Sequence, residues 1–277
     1  MNKKIILFIN KFKVELQIRK YSPRTVEHYC DYAKKYFAWY GQDSGKITLA
    51  SVKSYLHYLF MKNLSANTIA LHISALKSFI KIVFKSSLLD EIKLPGKNKT
   101  LPYILSREEV IKILKSITNA KHRTMIAFLY GSGLRVSEVI NIKVKDLDPD
   151  KKRVTIRKGK GRKDRNVIIS KQIMPVLLKY MQNKKKNDYI FTTNLNNIYS
   201  VRTVQQIFSK ALHKSEIQKH STCHTLRHSF ATHLLENGNN IVDIQKLLGH
   251  KSVKTTMIYT KLAKSKLDDI DSPLDVE

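Results

Sequence analysis

The sequence predicts a mainly α protein in two parts. An N-terminal helical bundle comes first, then a mostly helical second domain with a small antiparallel β-sheet, an α+β unit. Three observations lead there. Apolar residues recur at three- and four-residue spacing through the first ninety positions. A stretch with two prolines and a glycine, Lys93-Leu-Pro-Gly-Lys-Asn-Lys-Thr-Leu-Pro102, breaks that period and reads as a linker. Only two short runs, Arg153–Arg157 and Arg165–Ile169, are rich enough in β-branched residues to read as strands. A length of 277 residues suits two domains.

The elements follow in chain order. Ile5, Ile9, Phe12 and Leu16 line one face of a first helix. Ser22-Pro23 opens a second, with serine as N-cap and proline at the first helical position, and Val26, Tyr29, Ala33, Tyr36 and Phe37 continue it to Gly41. Thr48 opens a third through Val52, Tyr55, Leu56 and Leu59, and Ser65 a fourth through Ile69, Ile73, Leu76, Phe79 and Val83. Four such helices make a small bundle. Beyond the linker, Ser106-Arg-Glu-Glu109 has capping-box spacing. Helical pattern then covers 121–129, 136–142, 170–183, 201–214, 225–237, 240–248 and 252–265. The Gly-bearing segment 158–164 joins the two strands as a hairpin. The expected boundaries are a first domain at 1–92, a linker at 93–102, a second domain at 103–264 and a tail at 265–277.

Charge is the strongest compositional signal. The chain has 51 Lys and Arg against 22 Asp and Glu, a net charge of +29, while 42% hydrophobic residues are enough for real cores. Residues 1–98 alone carry 17 basic and six acidic side chains, whereas 268–277 carry five acidic ones and no basic one. Both parts are basic and the tail is acidic. A polyanion touching both parts is the natural partner, and nucleic acid is the commonest; a Lys-rich surface that reflects genome composition is the other reading. Two cysteines, Cys30 and Cys223, cannot form a disulfide framework, and no CxxC pair suggests a zinc site. No apolar run approaches the ~18 residues of a membrane span. The start has too short an apolar stretch for a signal peptide. A reducing, cytoplasmic setting is expected.

Four segments of the second part carry chemistry: Gly131-Ser-Gly-Leu-Arg-Val-Ser-Glu138, Gly159-Lys-Gly161, His224-Thr-Leu-Arg-His228 and Leu248-Gly-His-Lys-Ser-Val-Lys-Thr-Thr-Met-Ile-Tyr259. Breaking a phosphodiester without metal needs a nucleophile, countercharge for the phosphorane and proton transfer. Arginine suits the second task, because its planar, permanently charged fork holds two phosphate oxygens. His224 and Arg227, three apart, share a face if their segment is helical. Taken singly, each box is open to a plainer reading. Tyr259 is one of 13 tyrosines and reads as core, His250 as a helix-terminal cation, Lys160 as a solvated turn residue. Glu138 reads as a helix-surface residue. His228 and His233 read as structural. Cys223 beside His224 hints at a thiol nucleophile or a metal site, but lacks spaced partners.

In order and spacing the four boxes resemble the active-site boxes of the tyrosine recombinase (phage integrase) family, and the first ninety residues resemble its helical core-binding domain. That resemblance implies that the second domain is catalytic and assigns roles. Tyr259 would attack the scissile phosphate and form a 3′-phosphotyrosine. Arg135 and Arg227 would clamp the non-bridging oxygens, with His250 as a further donor. Lys160 would protonate the leaving 5′-oxygen, although Lys158, Arg162 and Lys163 compete for that place. His224 would assist proton transfer at the tyrosine, and Glu138 would orient the basic residues of the site. Neither ATP, metal nor any other cofactor is needed.

The organisation is similar to that of compact Xer-type recombinases. It implies duplex DNA clamped between two basic domains, a tetramer in the synapse, a tail that contacts the next protomer, and a role in chromosome dimer resolution or mobile-element integration. An activating partner is neither implied nor excluded. Two alternatives stay open: a type IB topoisomerase-like relaxing enzyme, and an inactive DNA-binding accessory protein.

Overall fold

The computed structural model describes residues 2–41, 47–96, 101–157, 164–250 and 252–263. The chain divides into two compact units, Met1–Lys99 and Thr100–Glu277.

The first unit is all helical. Its helices are α1 (Lys3–Ile18), α2 (Pro23–Tyr40), α3 (Leu49–Met61) and α4 (Ala66–Val83). Each starts on a side chain that accepts a hydrogen bond from the first turn: Asn2, Ser22, Thr48 and Ser65. Such a cap contributes about 1 kcal/mol. The apolar stripes then meet in one core of Ile5, Ile9, Phe12, Leu16, Val26, Ala33, Phe37, Leu76 and Phe79. Two buried polar pairs are satisfied inside it. Tyr36 Oη lies 2.6 Å from Ser51 Oγ, and Tyr55 Oη lies 3.1 Å from His72 Nδ1.

The second unit begins with α5 (Arg107–Ser116), opened by the Ser106/Glu109 capping box, and α6 (Ala120–Gly131). Next comes α7 (Val136–Val139), a single turn where the spacing predicts helix to 142. A three-stranded antiparallel sheet follows, in the order β1 (Leu147–Asp148), β2 (Arg153–Ile156) and β3 (Arg165–Ile168). The register pairs Val154 with Val167 and Ile156 with Arg165. Val154, Ile156, Val167 and Ile169 face the core, and so does Arg165. The remaining helices are α8 (Met174–Met181), α9 (Val201–Lys214), α10 (Cys223–Glu236), α11 (Ile241–Leu248) and α12 (Val253–Thr256).

The helix expected over 252–265 is not continuous. It stops at Thr256 and tightens into a 3-10 segment, Met257–Lys261. Val253, Thr255, Thr256 and Ile258 are β-branched and lose side-chain freedom in an α-helix. The tighter turn coincides with the burial of Tyr259, which is 2% exposed, against Phe230, Ala231, Ile244 and Leu248. The expected tail, 265–277, lies outside the described residues. Among the described residues no helix is long and apolar enough to cross a membrane.

Candidate active site

The site is assembled where the start of α10, the end of α11 and the 3-10 segment meet the turn before α7. Arg135 is the N-cap of α7. The Glu138 carboxylate, three residues on, reaches back to it twice, accepting from the Arg135 backbone N–H (2.9 Å) and from Nη1 (2.9 Å). The same carboxylate takes two further bonds from Arg165 on β3, at 2.9 and 2.7 Å. Its remaining neighbour is Arg227 Nη1, at 3.9 Å. Burial alone would raise the Glu138 carboxyl. Hydrogen bonds and charge from Arg165 and Arg135 outweigh it and hold the group at about 2. One carboxylate therefore organises three arginines.

Arg227 is 1% exposed. Its Nη1 donates to the Gly133 carbonyl at 2.6 Å and its Nη2 to the Leu248 carbonyl at 2.5 Å. Burial, and then the Arg135 charge, push its pKa down to about 9, so the group remains charged at neutral pH. Gly133 belongs to this arrangement through its backbone. It has φ +58°, and a Cβ there would come within 2.4 Å of the Phe230 ring. Only glycine lets that turn lie against α10 and aim its carbonyl at Arg227.

The end of α11 supplies the next groups. Gly249 closes the helix in the left-handed region, at φ +63°. Arg165 Nε holds the Leu247 carbonyl at 2.7 Å while Arg227 holds that of Leu248, so adjacent carbonyls of the last turn are each fixed by an arginine. His250 follows. Its Nε2 lies 3.3 Å from Arg227 Nη2, and its Nδ1 lies 3.0 Å from Thr256 Oγ1. A guanidinium only donates, so His250 Nε2 accepts and Nδ1 carries the proton toward Thr256. Burial, then the Arg227 and Arg135 charges, bring His250 down to about 4, which fits a neutral ring.

Tyr259 closes the site. Its Oη lies 3.1 Å from His228 Nδ1, and its ring is nearly parallel to that of His250, with centroids 6.4 Å apart. Burial raises its pKa, opposed by the charges of Arg227 and Arg135. His224 and His228 stack one turn apart on α10, edge to face, with ring centroids at 4.5 Å. His224 is the exposed member, and partial burial followed by the two arginines lowers its pKa.

Arg135, His224, Arg227, His250 and Tyr259 are thus gathered in one place. Lys160 lies outside the described residues. His228, expected from the sequence to be structural, is the hydrogen-bond partner of the tyrosine oxygen, at 3.1 Å. Its signal was its position one turn after His224 on a helix. Arg165, which the sequence places in a strand, shares the inward phase of Val167 and Ile169, and that phase is its signal. His233 bonds Tyr130 Oη at 2.8 Å, a core pairing. Cys223 is buried, which pushes its thiol up to about 12. Among the described residues no cluster of three His, Cys, Asp or Glu could hold a metal ion.

Comparison with known proteins meets this geometry. Residues 104–266 match the model of the phage integrase family, and residues 8–90 match the phage integrase N-terminal SAM-like domain. The tyrosine recombinase XerA of Pyrococcus horikoshii is 35% identical, the alignment covering 94% of this chain and 90% of that one. A tyrosine recombinase of Thermosipho africanus is 30% identical over 89% of this chain and 91% of its own length. Among solved structures, the XerA recombinase matches with a TM-score of 0.55 and 28% identity over 95% of both chains. A lambda integrase dimer bound to a core site shares the fold, at TM-score 0.75 and 18% identity, with 92% of this chain and 97% of that one covered. The chain therefore belongs to the phage integrase family and is a tyrosine recombinase of the compact Xer type.

Proposed function

We propose that the protein is a site-specific recombinase that cuts and rejoins duplex DNA through a 3′-phosphotyrosine on Tyr259. One observation carries this reading: a buried tyrosine within the electrostatic reach of both Arg135 and Arg227, beside His250, at the meeting point of four elements. Two guanidinium groups supply the countercharge for a phosphorane. In the free protein Arg227 rests on two carbonyls and on His250. A scissile phosphate would replace His250 as acceptor for Arg227, and His250, with Nε2 protonated, would donate to the same phosphate. Lys160 remains the proposed acid for the leaving 5′-oxygen, and His224 a proposed aid to proton transfer. The phosphotyrosine keeps the bond energy, so a second 5′-hydroxyl reverses the step on a new strand.

The basic surface of both units supports duplex DNA as partner. So do relatives solved on DNA, such as XerH bound to a palindromic difH substrate in a post-cleavage complex. A homotetramer on two sites is the working assembly, in the cytoplasm. The XerA relatives support a Xer-like role, chromosome dimer resolution, with integration or excision of a mobile element as the other task.

A nicked suicide duplex carrying a cognate site tests the chemistry. The expected result is an SDS-resistant protein–DNA adduct formed in EDTA and lost in Tyr259→Phe. An adduct that persists in that variant, or that needs a divalent metal, overturns the reading. Resolution of a plasmid with directly repeated sites into two circles tests recombination. Relaxation of supercoils by isolated monomers, without strand exchange, would instead mark a topoisomerase.

A further inference from the structure

We propose that His228 is the group that takes the phenolic proton from Tyr259 during attack, a role that rests on the recombinase reading above. The Tyr259 side chain packs with Phe230, Ala231, Ile244 and Leu248 and is 2% exposed, so bulk water has little access to take its proton. Its hydrogen-bond partner there is His228 Nδ1, at 3.1 Å. The imidazole is held in place by its neighbours. Its ring centroid lies 4.5 Å from that of His224, edge to face, and 5.6 Å from that of Tyr259. The charged and titratable groups facing it are His224 and Arg227 on α10, Tyr259 on the 3-10 segment, and His250, which lies against the tyrosine ring. Burial first, then His224 and Arg227, bring His228 to about 4, so its ring is neutral at pH 7 and Nδ1 can offer a lone pair to the phenol.

The step balances. The Oη–phosphorus bond forms as the phosphorus–O5′ bond breaks. The phenolic proton passes to Nδ1, and the leaving oxygen departs as a hydroxyl, with a proton from an acid of the site or from water. In the reverse attack the imidazolium returns its proton to the departing phenolate. A neutral imidazole is a weak base toward a free phenol. Two changes favour transfer in the transition state: Oη grows acidic as it bonds to phosphorus, and the phosphate's negative charge stabilises the imidazolium. His224, one turn away and exposed, touches the His228 ring and is placed to steady it.

Single-turnover cleavage of the suicide duplex separates this role from others. His228→Ala should slow cleavage on the order of 10²–10⁴-fold. Its rate should rise about tenfold per pH unit between pH 7 and 9, as hydroxide replaces the missing base, while the unmodified protein stays nearly flat. His228→Asn, which keeps a polar side chain, should show the same slope, with thermal melting and DNA affinity close to those of the unmodified protein. A bridging 5′-sulfur substrate, whose leaving group needs no proton, should leave both variants slow. Variants that cleave at the normal rate, that are slow but flat with pH, or that are restored by the sulfur substrate overturn the assignment. Failure of the unmodified protein to form an adduct overturns the recombinase reading instead.

Discussion

Arg165 and Glu138 meet in a two-point ion pair that ties the inward face of β3 to the turn carrying Arg135. The pair is buried on both sides, with side-chain exposures of 7% and 12%. It also reaches α11, through the Arg165 bond to the Leu247 carbonyl. A single strand residue thus sets the relative position of the Arg135 turn and the helix end that presents His250.

Removing Arg165 should therefore cost both stability and rate. Arg165→Ala leaves the Glu138 carboxylate buried without its main partner, a loss of about 3–5 kcal/mol. Urea unfolding of the variant should show it. Arg165→Lys keeps the charge but not the fork, and should fall between the two in stability while cleaving at least about tenfold more slowly. A lysine variant equal to the parent in both measurements would remove Arg165 from the positioning of the site.

Gly133→Ala should be disproportionately harmful for the addition of one methyl group. The new Cβ meets Phe230 atoms at 2.4 and 2.6 Å, in a backbone conformation unfavourable to alanine. The carbonyl that holds Arg227 would shift with it. A destabilisation of about 1–3 kcal/mol is expected, together with a larger proportional loss of covalent adduct than of DNA binding. Gel-shift and adduct assays on the same preparation measure the two.

Acid should act on the histidines before it acts on the ion cluster. His72, His228 and His250 are all brought down to about 4 by burial, against about 6.5 in the unfolded chain. Between those values the unfolded state binds more protons. Their contribution to stability is therefore complete above about pH 6.5 and is lost as pH falls toward 4. Glu138, held at about 2, loses its contribution only below the ordinary carboxylate range. The urea midpoint should drop between pH 7.5 and pH 5, and a midpoint unchanged over that interval would contradict the burial of these rings.

Cys223 should be chemically silent. Its thiol is 4% exposed and raised to about 12, so little thiolate forms at neutral pH. Iodoacetamide should label it only after unfolding, and Cys223→Ala should still form the covalent adduct with DNA. Loss of the adduct, with the fold intact, would reopen the thiol reading of the Cys223-His224 pair.

Most helix starts were legible because they rest on local chemistry. Ser22, Thr48, Ser65 and Ser106 each bond their own first turn, which three or four adjacent residues decide among themselves. The segment at 252–265 was less legible for the opposite reason. Its spacing looks helical, but β-branched residues and the burial of Tyr259 against α10 and α11 select a short helix followed by a 3-10 turn.

The two-part, mainly α organisation, the two longer strands of the sheet and the four boxes that mark the family can all be read from the order of residues. Periodicity, caps and spacing are properties of the chain's order. Which side chains meet depends on the packing of the folded chain. That packing put His228, rather than His224, on the tyrosine oxygen. It set Arg165 against Glu138, and it fixed the carbonyls of Gly133 and Leu248 on Arg227. Those pairings join residues as far apart as 94 positions. They exist because buried charges and donors must find partners once water is excluded, and which partner is near is a matter of packing.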